Sequence, residues 1–185
     1  MKKVAVVFHS VTGTTEQMAD AVIAGANSVA GVAGIKIAIT SEDIDAGRYS
    51  NQSIMASLDD MDAIIFGSPT YMGGVTAQFK AFIDASSEQW FTRNWVDKLA
   101  AGFTIGNNIN GDQLITLQYL QVLANQHGML WVSMDESTPG EINRLGAFAG
   151  AVAHSVDGHV HDIDLATSKY LGLRVANMVR RFDGS

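Results

Sequence analysis

Lys2-Lys3-Val4-Ala5-Val6-Val7-Phe8 runs straight into His9-Ser10-Val11-Thr12-Gly13-Thr14-Thr15, and the reading of this stretch decides the fold. Residues 2–8 have strand length, and their five consecutive apolar residues suit a strand covered on both faces. The same run is too short for a signal sequence or a membrane span. After a small polar loop the pattern turns helical. Met18, Val22, Ala26 and Val29 recur at near-four spacing, which predicts a helix from Thr15 to about Ala30. Thr14 with Gln17 three residues later fits a capping box, and Gly31 and Gly34 are read as ending the helix.

Outward from this β-loop-α unit the pattern repeats. Ile35, Ile37 and Ile39 alternate in a second strand over 34–40, and 50–60 is weakly helical. Residues 62–67, with Ala63-Ile64-Ile65-Phe66, make a third buried strand. Val75, Phe79, Phe82 and Ile83 mark the helix after it. A fourth strand is predicted over 98–106, a helix on Leu114, Leu117, Leu120 and Leu123 closed by Gly128, and a fifth strand over 129–133. A last helix carries Leu171, Val175, Met178, Val179 and Phe182, with Arg180 and Arg181 at its negative end. Residues 136–162 show no periodicity and carry Pro139 and three histidines; a loop of that length is more often functional than idle. Repeated β-α units imply a parallel sheet with right-handed crossovers and helices on both faces. The expected fold is a single α/β domain over 1–185, an open five-stranded parallel sheet in the order 2-1-3-4-5. Ligands on such sheets sit at the carboxyl ends of the strands, near a topological switch point.

Composition narrows the function. The chain has 185 residues, is 47% hydrophobic and 17% charged, and so is not disordered. Its net charge of −7, with no run of Lys or Arg, argues against nucleic acid as a partner. The absence of cysteine removes disulfides, thiolate metal sites and thiol nucleophiles, and suits a cytoplasmic protein.

The loop over residues 9–15 offers hydroxyls from Ser10, Thr12, Thr14 and Thr15, a flexible Gly13, and the unpaired N–H groups of a helix start. That is an anion site suited to phosphate. It lacks Gly-Lys-Ser/Thr, so it is not a triphosphate P-loop, and it lacks G-x-G-x-x-G, which disfavours a dinucleotide pyrophosphate. No Asp ends the third strand, as a receiver domain needs, and no G-x-S-x-G elbow is present. A monophosphate held by hydroxyls and amides remains, against the plainer reading of a Thr-rich capping loop. After the third strand comes Gly67-Ser68-Pro69-Thr70-Tyr71-Met72-Gly73-Gly74. Pro69 stiffens the turn, Tyr71 offers an aromatic face, and Gly73 and Gly74 let a flat ligand approach the backbone.

These two loops together resemble the flavodoxin-like FMN proteins, and most nearly the WrbA-type NAD(P)H:quinone oxidoreductases and flavodoxin-family FMN reductases. The similarity extends to Gln78-x-Lys80-x-Phe82-x-Asp84, Trp90, Lys98-Leu99-Ala100 and His127-Gly128-Met129. The resemblance implies that residues 10–15 hold the FMN phosphate. It implies that Thr70, Tyr71 and Met72, with Pro69 and Gly73, contact the isoalloxazine, and that Thr104, Gly106, Asn107 and Asn108 take its other side and the ribityl chain. It further implies Trp90 in the substrate space and His154 as a quinone-pocket or proton-donating group. NADH or NADPH is the implied co-substrate, a quinone the implied acceptor, and a homodimer or homotetramer the implied assembly. The chain departs from the WrbA pattern at Thr12, where an aromatic is usual, and at Gln126, where a second histidine is usual.

Other residues read more simply. Trp95 is expected to be packing. His159-x-His161 with Asp157 and Asp162 lacks a third ligand of known spacing and reads as a solvated loop, not a metal site. Glu42, Asp43 and Asp45, without a glycine fingerprint, also read as solvated. Two other classes stay open: an FMN-binding electron carrier that docks on redox proteins, and an interaction module with weak or no FMN binding.

Overall fold

The computed structural model describes residues 1–135 and 140–182; Pro139 lies outside them. The strand predicted from the opening stretch is β1 (Lys2–His9), and it is buried from Val4 onward. Its side chains alternate between two cores. Val4, Val6 and Phe8 join the cluster under α1 (Thr14–Asn27), while Ala5 and Val7 join the cluster on the opposite face. Burial on both faces is why the strand reads as an unbroken apolar run. β2 (Val32–Ile39) pairs parallel with one edge of β1, and β5 (Ala63–Pro69) with the other.

Between them stand a single 3-10 turn (Ser41–Asp43), a small hairpin of β3 (Ile44–Asp45) and β4 (Arg48–Tyr49), and α2 (Gln52–Asp59). Asp43, expected to be solvated, is buried. Its carboxylate accepts from Thr40 N at 2.7 Å and Asn51 Nδ2 at 2.7 Å, so it caps this turn. Helices α3 (Ala77–Ala85) and α4 (Ser87–Thr92) lead to β6 (Leu99–Gly106), and α5 (Gln113–Gln126) follows.

The sheet order is β2-β1-β5-β6-β7, with β7 (Leu130–Trp131) at the far edge. This is the expected 2-1-3-4-5 arrangement, with one difference. The fifth position is split. β7 pairs with Leu99 and Ala100 at the start of β6, and β8 (Ala151–His154) pairs with Phe103–Gly106 at its end. The segment expected to be an aperiodic loop over 136–162 therefore contains a strand, and the described part of it leaves the sheet and returns. Met134 N donates to Phe148 O at 2.9 Å, and Trp131 Nε1 to Ala149 O at 2.8 Å, closing the base of the excursion.

α6 (Asp162–Phe182) starts nine residues before the first position of its apolar stripe, Leu171. Its first turns bury Asp164, Thr167 and Ser168, whose side chains are hydrogen-bonded: Asp164 to Arg144 at 2.7 Å, Thr167 Oγ1 to Ile163 O and Ser168 Oγ to Asp164 O. α6 and α1 pack at very close range. A Cβ on Gly25 would lie 1.8 Å from Lys169 O, and one on Gly172 would lie 1.9 Å from Val22 O. Only glycine permits that crossing.

Two capping expectations are corrected. The start of α1 is not a capping box: Gly13, at φ 84°, occupies the N-cap position with no side-chain cap. Gln17 instead donates to Gly158 O at 2.9 Å and accepts from Val160 N at 3.2 Å, tying α1 to the loop before α6. Gly34 does not end α1 but lies within β2. Trp95 is fully buried, its indole N–H donating to Asp59 at 3.0 Å. Among the described residues no helix is long and apolar enough to cross a membrane.

Candidate functional site

β1, β5 and β6 are adjacent and parallel, so their carboxyl ends share one edge of the sheet. The chain leaves β1 toward β2 on one side and later returns to β5 on the other, which makes the gap between β1 and β5 the switch point. Three loops rise from this edge and enclose a cleft of about 720 Å³. That volume falls in the range of small-molecule and cofactor sites.

The first loop carries the anion-binding features. Ser10 Oγ accepts from Glu16 N at 3.3 Å and Gly13 O accepts from Gln17 N at 3.1 Å, so both brace the turn. Thr12 and Thr14 line the cleft with their hydroxyls 3.2 Å apart. Thr15 is 1% exposed, and its Oγ1 is buried with no hydrogen-bond partner. An unpaired buried hydroxyl costs about 1–3 kcal/mol, and this one stands at the amino end of α1, where an anion would find it as a donor. The positive end of the α1 dipole points the same way. A phosphate monoester fits this donor set.

The second loop forms one wall. Tyr71 and Gly74 exchange backbone hydrogen bonds at 2.9 and 3.1 Å across a two-residue turn. Met72 and Gly73 occupy it at φ 49° and 77°, both left-handed. The turn lifts Met72 fully into solvent and leaves Tyr71 half exposed at the cleft. Behind it runs a chain of hydroxyls. Thr104 Oγ1 donates to Ser68 O at 2.7 Å, so Thr70 donates to Thr104 at 2.8 Å, and Thr116 to Thr70 at 2.9 Å. The Thr70 proton thus points into the protein, and Thr70 meets the cleft with its remaining surface. Thr104 is fully buried and does not line the cleft; it positions Thr70 from below.

The third loop supplies Ile105, Gly106, Asn107, Asn108, Gly111 and Asp112. It is held by a residue the sequence reading did not single out. Gln113 is buried, its Nε2 donates to Asn108 O at 2.6 Å, and its Oε1 accepts from Gly111 N at 2.8 Å. The available signal was a polar residue directly after Asp112 at a helix start. His154 stands beside this loop. Its Nε2 donates to Asn107 O at 3.1 Å, which fixes the Nε2–H tautomer, and its backbone N donates to Asp164 at 3.1 Å. His154 braces the wall but does not line the cleft.

His9, at the end of β1, is a second missed positioning residue. Its Nδ1 lies 2.9 Å from Thr76 Oγ1, while Thr76 N donates to Ser68 Oγ at 3.1 Å. This joins the ends of β1 and β5 to the start of α3. Burial lowers the His9 pKa, which keeps the imidazole neutral.

Ten of the fourteen residues expected at the cofactor line the cleft: Thr12, Thr14, Pro69, Thr70, Tyr71, Met72, Gly73, Gly106, Asn107 and Asn108. Ser10, Gly13 and Thr104 support it from behind, and Thr15 lies buried at the start of α1 with its hydroxyl unpartnered. Trp90, expected in the substrate space, does not line this cleft. It lies on α4, 57% exposed, in a groove with Phe91, His127 and Gly128. α3 has by then carried the chain back to the amino ends of the strands, so Trp90 lies at the end of the subunit opposite the cleft. Among the described residues the cleft is lined by one charged side chain, Asp112, and by no Lys or Arg. His161 Nδ1 accepts from Ile163 N and caps α6.

Comparison with known proteins agrees with this geometry. The model of the family described as NADPH-dependent FMN reductase matches residues 3–138. Flavodoxin FldP of Pseudomonas aeruginosa is 37% identical, the match covering 96% of this chain and 97% of that protein. A protein of Archaeoglobus fulgidus named NAD(P)H dehydrogenase (quinone) is 33% identical, with 98% and 99% covered. The solved structure of the flavodoxin, WrbA-like protein from Agrobacterium tumefaciens is 42% identical, covers 98% of this chain and 99% of its own, and superposes with a TM-score of 0.79.

Proposed function

The chain belongs to the NADPH-dependent FMN reductase family, and from that premise we propose that it binds FMN in this cleft and transfers a hydride from NADH or NADPH through it to a quinone. The observation that carries the reading is the unpartnered Thr15 hydroxyl, buried at the amino end of α1 and at the switch point of the sheet. When bound, FMN supplies the redox chemistry, accepting a hydride and passing its electrons to the acceptor.

The residues of this chain bind, orient and shield. Thr12, Thr14 and Thr15 offer hydroxyls to the phosphate, and the first-turn amides of α1 and the Gly13 turn complete the anion site. Ser10 holds the turn by accepting from Glu16 N. Pro69, Thr70, Tyr71, Met72 and Gly73 form the apolar and aromatic wall for the ring. Asn107 and Asn108, on the loop that Gln113 and His154 brace, face its polar edge and the ribityl chain. Protonation of the acceptor can come from water, so the reaction does not require a catalytic acid from the chain.

One observation favours a second reading. A dinucleotide brings a pyrophosphate, and among the described residues no Lys or Arg lines the cleft to meet it, while the relative from Pseudomonas aeruginosa is named a flavodoxin. In that reading the protein carries electrons between redox proteins, its −7 charge suiting basic partners. The FMN-loaded protein should be assayed with NADH, NADPH and benzoquinone. Quinone-dependent nucleotide oxidation is expected. Nucleotide oxidation no faster than with free FMN would overturn the enzyme reading in favour of the carrier.

A further inference from the structure

We infer that Thr70 sets the redox preference of the cleft: toward the ring of FMN its hydroxyl can only accept a hydrogen bond, so it pairs with the reduced ring and not with the oxidised one. The inference rests on the reading of the cleft as an FMN site. Its basis is a chain of threonine hydroxyls, each with one proton to give. Thr104 Oγ1 lies 2.7 Å from Ser68 O, and a carbonyl only accepts, so the Thr104 proton is committed there. Thr70 Oγ1, 2.8 Å from Thr104 Oγ1, must then donate to it. Thr116 Oγ1, 2.9 Å from Thr70 Oγ1, must donate in turn. Thr104 and Thr116 are fully buried, so the direction of the chain is fixed inside the protein. The Thr70 backbone N–H is also spent, on Ile105 O at 2.9 Å. Thr70 thus lines the cleft with both donors turned inward and one hydroxyl lone pair left over.

Hydride transfer carries two electrons and one hydrogen from the nicotinamide to ring nitrogen N5, so the nicotinamide is oxidised and the ring reduced. N5 thereby changes from a hydrogen-bond acceptor to an N–H donor. A lone pair on Thr70 has nothing to share with the oxidised nitrogen and accepts from the reduced one. A freely rotating hydroxyl could serve either state, and the two buried threonines remove that choice. The other donors of FMN, the ring N3–H and the ribityl hydroxyls, are the same in both states. Pairing with them would tighten binding without favouring either state. A chain that only clamped the second loop to β6 and α5 would also leave the balance between the states alone. Thr104 and Thr116 act through Thr70 and are positioning residues.

Equilibrium reduction of the FMN-loaded protein against a reference dye, with fluorescence titration of oxidised FMN, tests this. Thr70→Val is expected to weaken binding of reduced FMN about tenfold more than binding of oxidised FMN, the upper range for a neutral hydrogen bond. For a two-electron couple that lowers the midpoint potential by about 30 mV. Thr70→Ser keeps the hydroxyl and is expected to keep the potential of the unaltered protein. Thr104→Val frees the Thr70 proton to turn toward the cleft, so it is expected to lower the potential as well, although Thr104 does not line the cleft. An unchanged potential in Thr70→Val or Thr104→Val, or an equal loss of affinity for both states, would overturn the inference and leave the FMN reading standing. Failure of the unaltered protein to bind FMN saturably would overturn that reading, and the inference with it.

Discussion

Replacing Thr15 with Val separates the two states of the cleft by sign. The hydroxyl is buried at 1% exposure with no partner, so the free protein bears an uncompensated desolvation cost of about 1–3 kcal/mol. Valine has nearly the same shape and removes that cost. The free protein should therefore become about 1 kcal/mol more stable in urea denaturation. With FMN present the account requires the hydroxyl to donate to a charged phosphate oxygen, a bond worth about 1.5–3 kcal/mol. Since each tenfold change in affinity is about 1.4 kcal/mol, Thr15→Val should weaken FMN binding about 10- to 150-fold. Fluorescence titration measures this directly. Riboflavin, which has the ring and ribityl chain but no phosphate, should bind the variant and the unaltered protein equally. An unchanged FMN affinity would refute the placement of the phosphate, and a destabilised free protein would refute the claim that the hydroxyl is unpaired.

Three further outcomes follow from other parts of the structure. Asp164→Ala removes a buried carboxylate that accepts from Arg144 and from the backbone of His154; the loss should be about 3 kcal/mol in urea denaturation. His127 is buried, and desolvation lowers its pKa from 6.5 to about 4, so the folded state binds the proton less readily than the unfolded state. Its contribution is complete above pH 6.5 and is lost at about 1.4 kcal/mol per pH unit as the pH falls toward 4; His127→Gln should flatten the stability profile in that window. Gly25→Ala should gain about 1 kcal/mol of helix propensity but lose more through the clash with Lys169 O, giving a net fall in thermal stability.

The sheet was legible where burial on two faces writes itself into the sequence. β1 and β5 carry unbroken apolar runs over residues 4–8 and 63–66, β6 is buried along most of its length, and the loops that follow these strands line the cleft. β8 was missed because Ala151-Val152-Ala153-His154 is four residues long and is cut off from β7, so no run of strand length exists to be read. The first half of α6 was missed for a different reason. Its inward positions are Asp164, Thr167 and Ser168, and a periodicity that counts only apolar residues cannot register a face held by hydrogen bonds. The Thr14–Gln17 spacing resembled a capping box, but Gln17 is drawn away by Gly158 and Val160, far off in sequence. Trp90 stands close to the second loop along the chain, and α3 carries it to the other end of the molecule. Gln113 and His9 were hard to find because they act by bracing, Gln113 the backbone of the third loop and His9 the Thr76 hydroxyl, a role visible only when the partners are in place.

The central claim is that FMN bound in this cleft is reduced by a nicotinamide nucleotide and reoxidised by a quinone. Anaerobic rapid mixing of the FMN-loaded protein with NADH or NADPH, followed by benzoquinone, tests it most directly. The account predicts that one of the nucleotides bleaches the visible flavin band faster than it bleaches free FMN, and that benzoquinone restores the band. A band that neither nucleotide bleaches, while dithionite does, would contradict it.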